Sequence, residues 1–186
     1  TRGVPGTHDI QLMINLFKKV KKNTFRSINI PKFDKSIDDR CKKNNWFKLK
    51  KKPDILILEG WCVGARAEGS RSLNRPINIL EKNADKKKIW RSYVNNQLKS
   101  KYSKLFDQLD SLLYLKAKNF KLLKRWRLKQ EKKLKMKSGT KKNSKIMNEK
   151  EVETFMMTYQ RITQNMFKNA PKYSSAVIDL LSLIHI

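Results

Sequence analysis

Apolar residues recur at helical spacing in four stretches of the chain. Between residues 10 and 20 they fall on one face at about 100° per residue, which predicts a helix capped by Asp9. The same periodicity predicts a long helix over residues 85–109 and another from Asn119 to about residue 136. The last helix is expected after Asn148, because Asn148 and Glu151 have the spacing of a capping box.

Shorter apolar runs predict strands between these helices. The strongest, residues 55–58, is an unbroken run of Ile and Leu, which indicates a strand buried on both faces in a parallel sheet. Three weaker runs also have strand character: residues 24–30, 112–115 and 176–181. We expect connections over the Lys-rich residues 42–52 and over residues 64–80. Strands that alternate with helices predict an α/β fold with a mainly parallel sheet.

The charge of the chain is strongly positive. It has 186 residues, with 44 Lys and Arg against 16 Asp and Glu, and a formal net charge of +28. The length fits one domain, and an apolar share of 39% is enough for a core. Lys provides 34 of the 44 positive charges and is joined by abundant Asn and Ile, the residues of A/T-rich codons. A general composition bias therefore explains much of the charge without a nucleic-acid partner.

Composition also excludes several classes of protein. No apolar run approaches the roughly 20 residues of a membrane span. Two cysteines, Cys41 and Cys62, cannot form a disulfide framework, which favours a reducing, cytoplasmic compartment. Two histidines are too few for a Cys/His zinc site. The first residues are turn-forming and do not include Met, so we expect a fragment of a longer protein.

Two features near the strongest predicted strand are candidates for phosphate chemistry. Glu59 follows that strand, at the edge where a P-loop enzyme holds Mg²⁺, although a water-facing carboxylate is the simpler alternative. Residues 64–69 have the G-x-x-x-x-G spacing of a phosphate-binding loop. The Lys-Ser/Thr that must follow is replaced by Ser70-Arg71, so this segment is not a Walker A loop.

Polar residues lie on the apolar arc of the helix after Asn119. Arg127, Gln130 and Glu131 fall inside that arc, whereas Arg125 points away from it. Polar groups on a core-facing arc need partners or a ligand. An Arg127–Glu131 pair at i,i+4 is the alternative to a ligand site. Arg91 lies in the same way on the apolar arc of the preceding helix.

The stretch from Lys116 to Lys145 is the most basic part of the chain. It holds 14 basic residues and one acidic residue, which gives +13 of the net charge. It is compatible with a lid over phosphates, with a nucleic-acid-binding surface that uses Phe120 and Trp126, or with a solvated Lys-rich face. The two aromatic residues fall on the apolar arc, which favours core packing over base stacking.

Two loops combine charges of both signs. Residues 2–9 offer a cation, an imidazole and a carboxylate in a turn rich in Gly and Pro. Residues 31–40 offer further cations and carboxylates after a predicted strand. Such clusters suit a small anionic substrate with hydroxyl groups, although helix capping and turn formation also explain the carboxylates.

Taken together, these segments resemble a known family. R-G-x-P-G-T-H-D at residues 2–9, P-x-F-D-K-x-x-D-D-R at 31–40 and D-I-L-I-L-E-G-W-C-V-G at 54–64 are similar to D-glycerate 3-kinase-like P-loop kinases, relatives of the uridine kinase and phosphoribulokinase group. Four later motifs continue the match in order: P-I-N-x-L-E at 76–81, W-R-x-Y-V-N at 90–95, W-R-x-x-Q-E at 126–131 and Y-x-R-x-T at 159–163.

The resemblance implies a P-loop NTPase-type fold, ATP and Mg²⁺ as cofactors, and phosphoryl transfer to a hydroxyl of D-glycerate. By resemblance, Glu59 faces Mg²⁺, and Arg125 and Arg127 are catalytic residues of a lid helix, with Arg127 toward the transferring phosphate. Arg91 and Gln130 would contact the cofactor. The acceptor would bind among His8, Asp9, Asp34, Lys35 and Arg40.

The chain departs from the pattern of this family in two places. The chain has no Walker A segment, which implies one partial kinase domain over residues 1–186, inactive by itself, with a basic lid helix and loop at 116–147. Residues 181–186 do not fit the pattern and are expected to be a non-native tail. A basic nucleic-acid-binding module and a non-catalytic kinase homologue stay open as alternatives, and we expect no membrane partner.

Overall fold

The computed structural model describes residues 3–22, 24–34, 37, 39–138 and 146–180. Contacts divide the chain into two compact units. The smaller unit comprises residues 9–61, and the larger unit comprises residues 1–8 together with residues 62–186. The expected non-native tail at 181–186 and the end of the basic loop at 139–145 lie outside the described residues.

The smaller unit begins with the predicted amphipathic helix. Helix α1 spans Ile10–Lys21, and its N-cap Asp9 accepts a hydrogen bond of 3.1 Å from the N–H of Leu12, as predicted. The apolar face of α1 is buried through four side chains: Ile10, Ile14, Phe17 and Val20.

Short antiparallel strand pairs follow α1. Strand β1, Ile28–Ile30, pairs with β4, Phe47–Leu49, and β2, Phe33–Asp34, pairs with β3, Asp39–Arg40. A 3₁₀ turn, Lys43–Asn45, precedes β4. The strand predicted over residues 24–30 is therefore present only at its end. The expectation of a connection without secondary structure over residues 42–52 is wrong. Strand β4 forms there because it pairs with β1, which is distant in the sequence.

The strand predicted most strongly is the one that the structure does not form. Residues 55–58 are in no strand, and Ile55 and Ile57 are 77% and 82% exposed. A strand exists only where a neighbour completes its hydrogen-bond ladder. No described strand pairs with this run, so the prediction of a strand buried on both faces is wrong for the structure.

The larger unit contains the remaining helices. After a 3₁₀ turn at Ser70–Asn74 come α2, Ile79–Ala84, and α3, Ile89–Gln97. Helix α3 continues through a π-helical segment, Leu98–Tyr102, into α4, Ser103–Phe106. The predicted long helix begins later than expected because the carboxylate of Asp85 accepts hydrogen bonds from the N–H groups of Trp90 and Arg91.

A parallel strand pair and two long helices complete the larger unit. Strand β5, Leu113–Ala117, pairs in parallel with β6, Ala176–Leu180. Between them lie α5, Phe120–Ser138, and α6, Glu149–Asn169, which pack against each other; a 3₁₀ turn, Ala170–Lys172, follows. The predicted N-cap at Asn119 and the predicted capping box of α6 are both present.

The predicted α/β class is confirmed. The parallel pair β5–β6 is joined by two helices, and two antiparallel pairs, which the prediction of a mainly parallel sheet did not include, lie in the smaller unit. The core of the larger unit is built from helix side chains: Leu98, Tyr102, Leu105, Val152, Ile162 and Met166. No helix in the described ranges is long and apolar enough to cross a membrane.

Candidate active site

The loop of residues 3–8, which we name the Gly3–His8 loop, is shaped by tight internal contacts. Gly3 and Gly6 have φ angles of +133° and +100°, in the region that favours glycine. A Cβ at Gly6 would lie 2.5 Å from the ring of Tyr93, and one at Gly3 would lie 2.0 Å from the hydroxyl of Tyr159. Glycine is therefore required at both positions by conformation and by space.

A buried tyrosine fixes the end of this loop. The hydroxyl of Tyr102 accepts a hydrogen bond of 3.1 Å from the N–H of Gly6 and lies 2.6 Å from Nδ1 of His8. Tyr102 is only 2% exposed, and burial raises its pKa above the ordinary value for tyrosine. His8, by contrast, is exposed. The Tyr102 hydroxyl thus contacts the His8 imidazole at Nδ1, at the surface of the larger unit.

The smaller unit holds most of the predicted acceptor-binding residues. Nη1 of Arg40 lies 3.0 Å from Oδ2 of Asp9, and both side chains are about half exposed. Asp34 lies opposite Asp39 in the β2–β3 pair. The structure therefore brings Asp9 and Arg40 together, in support of one polar cluster. Lys35 lies outside the described residues.

Glu59 has an exposed carboxylate with no hydrogen bond or ion pair to any described residue. Magnesium keeps several water ligands and is bound through one or two carboxylates together with substrate phosphates. A single accessible carboxylate fits that mode of binding. The described part of the chain contains no cluster of three or more Asp, Glu, His or Cys side chains suited to a metal. The assignment of Glu59 to Mg²⁺ stays a prediction.

Helix α5 brings three of the predicted polar residues together. Arg127 forms an ion pair with Glu131 at i,i+4 and donates a hydrogen bond of 3.3 Å to the side-chain oxygen of Gln130. Glu131 is 5% exposed, and its second oxygen accepts a hydrogen bond of 3.0 Å from the N–H of Met147. The intrahelical pair considered as the alternative to a ligand site is therefore present.

Arg127 nevertheless keeps accessible donor capacity. Its side chain is 31% exposed, and its guanidinium lies 5.4 Å from the centroid of the Phe155 ring. Its Nε–H is buried and has no acceptor among the described residues. Arg125 is exposed, as its position on the helical wheel predicted, and the structure does not join it to Arg127. Both catalytic assignments stay predictions.

Arg91 is part of a buried ion pair. It is 5% exposed, its Nη1 lies 3.0 Å from Oδ2 of Asp85, and its Nε donates a hydrogen bond of 2.7 Å to the carbonyl of Leu73. Burial opposes ionisation of Asp85, but hydrogen bonds from Trp90 and Arg91 hold the pKa of Asp85 below its ordinary value. These contacts connect α3 to the preceding loop, and the assignment of Arg91 to cofactor binding stays a prediction.

Reasoning from sequence pattern missed the role of Arg161. This residue is 9% exposed, and its guanidinium lies 2.6 and 2.8 Å from the two carboxylate oxygens of Glu81 and 3.3 Å from Oε2 of Glu68. It also donates a hydrogen bond to the carbonyl of Arg75. Hydrogen bonds with Glu81 raise the pKa of Arg161. On the helical wheel Arg161 lies opposite the apolar face of α6, so only its place in the Y-x-R-x-T motif pointed to it.

Known proteins with kinase names are similar to this chain, although no protein-family model matches it. "Uncharacterized kinase mug58" of Schizosaccharomyces pombe is 32% identical over 164 residues, 85% of this chain and 56% of that protein. "Probable ATP-dependent kinase TDA10" of Saccharomyces cerevisiae is 38% identical over 71 residues, 34% of this chain and 24% of that protein. The chain therefore spans about half the length of the first relative and less of the second.

A solved structure supports the same relationship. D-glycerate 3-kinase from Cryptococcus neoformans var. grubii superposes with a TM-score of 0.72 at 22% identity, over 96% of this chain and 65% of that one. This likeness shows the fold, and the sequence relatives show descent from a common ancestor with kinases. The chain is therefore a homologue of proteins named as kinases, and it has the fold of the D-glycerate 3-kinase structure.

Proposed function

We propose that the protein serves ATP-dependent transfer of a phosphoryl group to a hydroxyl of D-glycerate or a similar small hydroxy acid. The observation that carries this proposal is the likeness to a D-glycerate 3-kinase structure over 96% of the chain. The name of the budding-yeast relative supports ATP as the donor. The free thiols of Cys41 and Cys62 support a cytoplasmic location, because disulfides are rare there.

The proposed roles follow from the charges of the described side chains. A bound magnesium ion would neutralise charge on the phosphates of ATP, and Glu59 is the carboxylate assigned to hold it. Arg127 is a permanent cation with a planar group that matches phosphate oxygens, and Gln130 holds its guanidinium from one side. Arg40, half exposed and oriented by Asp9, suits the carboxylate of an acceptor.

The 186 residues contain no G-x-x-x-x-G-K-[ST] segment. In P-loop enzymes the backbone and the lysine of that segment hold the nucleotide phosphates, so phosphoryl transfer depends on it for positioning. We therefore propose that these residues supply the acceptor-side and lid functions of a kinase, and that the phosphate-binding loop must come from additional sequence.

The proposal predicts a difference between two proteins. With ATP, Mg²⁺ and D-glycerate, the protein made from the complete reading frame is expected to release ADP, whereas the 186-residue chain is expected to stay at background. A coupled ADP-release assay measures both, and omission of the acceptor provides the control.

Glu59→Gln is expected to raise the Mg²⁺ concentration needed for half-maximal rate, and Asp54→Asn is the matched control.

Two outcomes would contradict parts of the proposal. Turnover by the 186-residue chain above buffer would show that no further phosphate loop is needed. Failure of the complete protein to turn over D-glycerate and a panel of related hydroxy acids would leave a non-catalytic homologue, and the roles of Glu59 and Arg127 would be lost.

A further inference from the structure

The hydroxyl of Tyr102 lies between the backbone N–H of Gly6 and Nδ1 of His8. The N–H is always a donor, whereas Nδ1 is a donor in one imidazole tautomer and an acceptor in the other. The backbone N–H of Gly6 can only donate, so the Tyr102 oxygen is the acceptor of that 3.1 Å hydrogen bond. The second contact, 2.6 Å to Nδ1 of His8, needs one hydrogen atom between oxygen and nitrogen. Because burial raises the pKa of Tyr102, the phenol keeps its proton at neutral pH.

These facts decide the direction of the second hydrogen bond. The phenolic proton needs an acceptor, and Nδ1 of His8 is the acceptor within reach. A neutral imidazole carries one proton, and a partner at one nitrogen places that proton on the other. We propose that Tyr102 is a positioning residue that holds neutral His8 as the Nε2–H tautomer.

The consequence for chemistry rests on the proposed function. An imidazole in this tautomer presents a hydrogen-bond donor, and not a base, at Nε2. Such a donor suits an anionic oxygen, either the carboxylate of the acceptor or a phosphate oxygen. His8 would then bind and orient the substrate, and removal of the hydroxyl proton would fall to another group.

The loop supplies a matched control for this proposal. Tyr93 donates a hydrogen bond of 3.3 Å from its hydroxyl to the carbonyl of Gly6, and its ring packs on the same glycine. Tyr93→Phe therefore removes a loop hydrogen bond of the same type without touching His8. Tyr102→Phe removes the hydroxyl that contacts both Gly6 and His8.

The tautomer can be read directly from side-chain ¹⁵N chemical shifts. The chain has only two histidines, His8 and His185, so a His185→Gln variant assigns the spectrum. At roughly pH 8.5, about two units above the ordinary histidine pKa of about 6.5, long-range ¹H–¹⁵N spectra are expected to show an unprotonated Nδ1 and a protonated Nε2 for His8. Tyr93→Phe is expected to keep this pattern, and Tyr102→Phe to move both nitrogens toward the averaged shifts of exchanging tautomers.

Each result has a defined meaning. A protonated or averaged Nδ1 in the unaltered chain overturns the proposal, and so does an unchanged pattern in a folded Tyr102→Phe variant. Backbone amide spectra report whether each variant is folded. If Tyr102→Phe does not fold, the Nδ1 shift of the unaltered chain decides alone.

An activity measurement separates this inference from the proposed function. In the protein from the complete reading frame, Tyr102→Phe is expected to lower kcat/KM for D-glycerate by roughly tenfold while KM for ATP stays the same, as is typical when the partner that orients a functional histidine is lost. If the Nε2–H tautomer of His8 is observed but the complete protein shows no turnover, the positioning role of Tyr102 is retained and the proposed kinase function is rejected. Turnover that Tyr102→Phe leaves unchanged would reject the positioning role alone.

Discussion

Replacement of Arg161 by Met is expected to lower the free energy of unfolding by about 3–5 kcal/mol, because it leaves two carboxylates without their cation in a poorly solvated site. The side chains of Glu81 and Glu68 are 12% and 20% exposed, and both depend on Arg161 for an ion pair. The carbonyl of Arg75 loses its hydrogen bond as well. Urea denaturation followed by circular dichroism measures the change, with the slope of the transition checked for two-state behaviour.

A surface ion pair provides the control for this substitution. Nζ of Lys124 lies 2.7 Å from Oε1 of Glu153, but these side chains are 32% and 49% exposed. Lys124→Met removes the same kind of contact in water and is expected to cost less than about 1 kcal/mol. Equal losses for the two substitutions would show that the Arg161 cluster is solvated and of little importance to the fold. A double-mutant cycle of Arg161 and Glu81 then isolates their coupling energy.

The Arg161 cluster also shows where sequence patterns stop being informative. A pattern detects ion pairs at i,i+4, and it correctly gave the pair of Arg127 with Glu131. The partners of Arg161 lie 80 and 93 residues away. Helix α6 is buried on two sides, and the wheel indicates only the apolar one. An arginine that packs against a distant polar loop therefore looks like a solvent-facing residue.

Helix boundaries were predictable because their signals are local. Asp9, Asn119 and Asn148 each accept a hydrogen bond from a backbone N–H three residues later, and such a cap is complete within one turn. The helix predicted to start at residue 85 begins instead at Ile89. Asp85 caps from a distance of five residues, and no simple spacing rule contains that geometry.

Strands were less predictable because their partners are distant. The run at 55–58 has the strongest strand composition, yet it pairs with no described strand. Residues 47–49, in a Lys-rich segment, form a strand because Ile28–Ile30 lies beside them. A composition typical of strands shows that the side chains fit a pleated surface. Whether a hydrogen-bond ladder forms depends on a neighbouring strand.

Sequence patterns indicated several residues of the candidate site, but few of the contacts between them. The wheel position of Arg127, Gln130 and Glu131 showed that polar groups occupy a core-facing arc, and the structure supplies their mutual contacts. Asp9 and Arg40 are 31 residues apart in the chain, and no spacing rule relates the N-cap of α1 to strand β3. The hydroxyl that orients His8 comes from Tyr102, 94 residues away, and no motif spacing identifies it.

Replacement of Arg127 by Lys in the protein from the complete reading frame is expected to lower kcat by about 10²–10³-fold with little change in KM for ATP, as for loss of one preorganised donor to a transition state. Lysine keeps the positive charge that Glu131 requires, so the fold is expected to survive. It lacks the planar fork that addresses two oxygens of a transferring phosphoryl group. Steady-state kinetics with ATP and D-glycerate measures the effect.

Two further variants on α5 sharpen this test. Lys129→Gln changes an exposed residue of the same helix and is expected to leave kcat unchanged. Arg125→Lys is expected to lower kcat less than Arg127→Lys, because Arg125 is exposed and unconnected to the Arg127–Gln130–Glu131 group. Thermal melts within a few degrees of one another exclude unfolding as the cause. A wild-type kcat for Arg127→Lys would mean that the ion pair with Glu131 is the whole role of Arg127, and that α5 contributes structure alone.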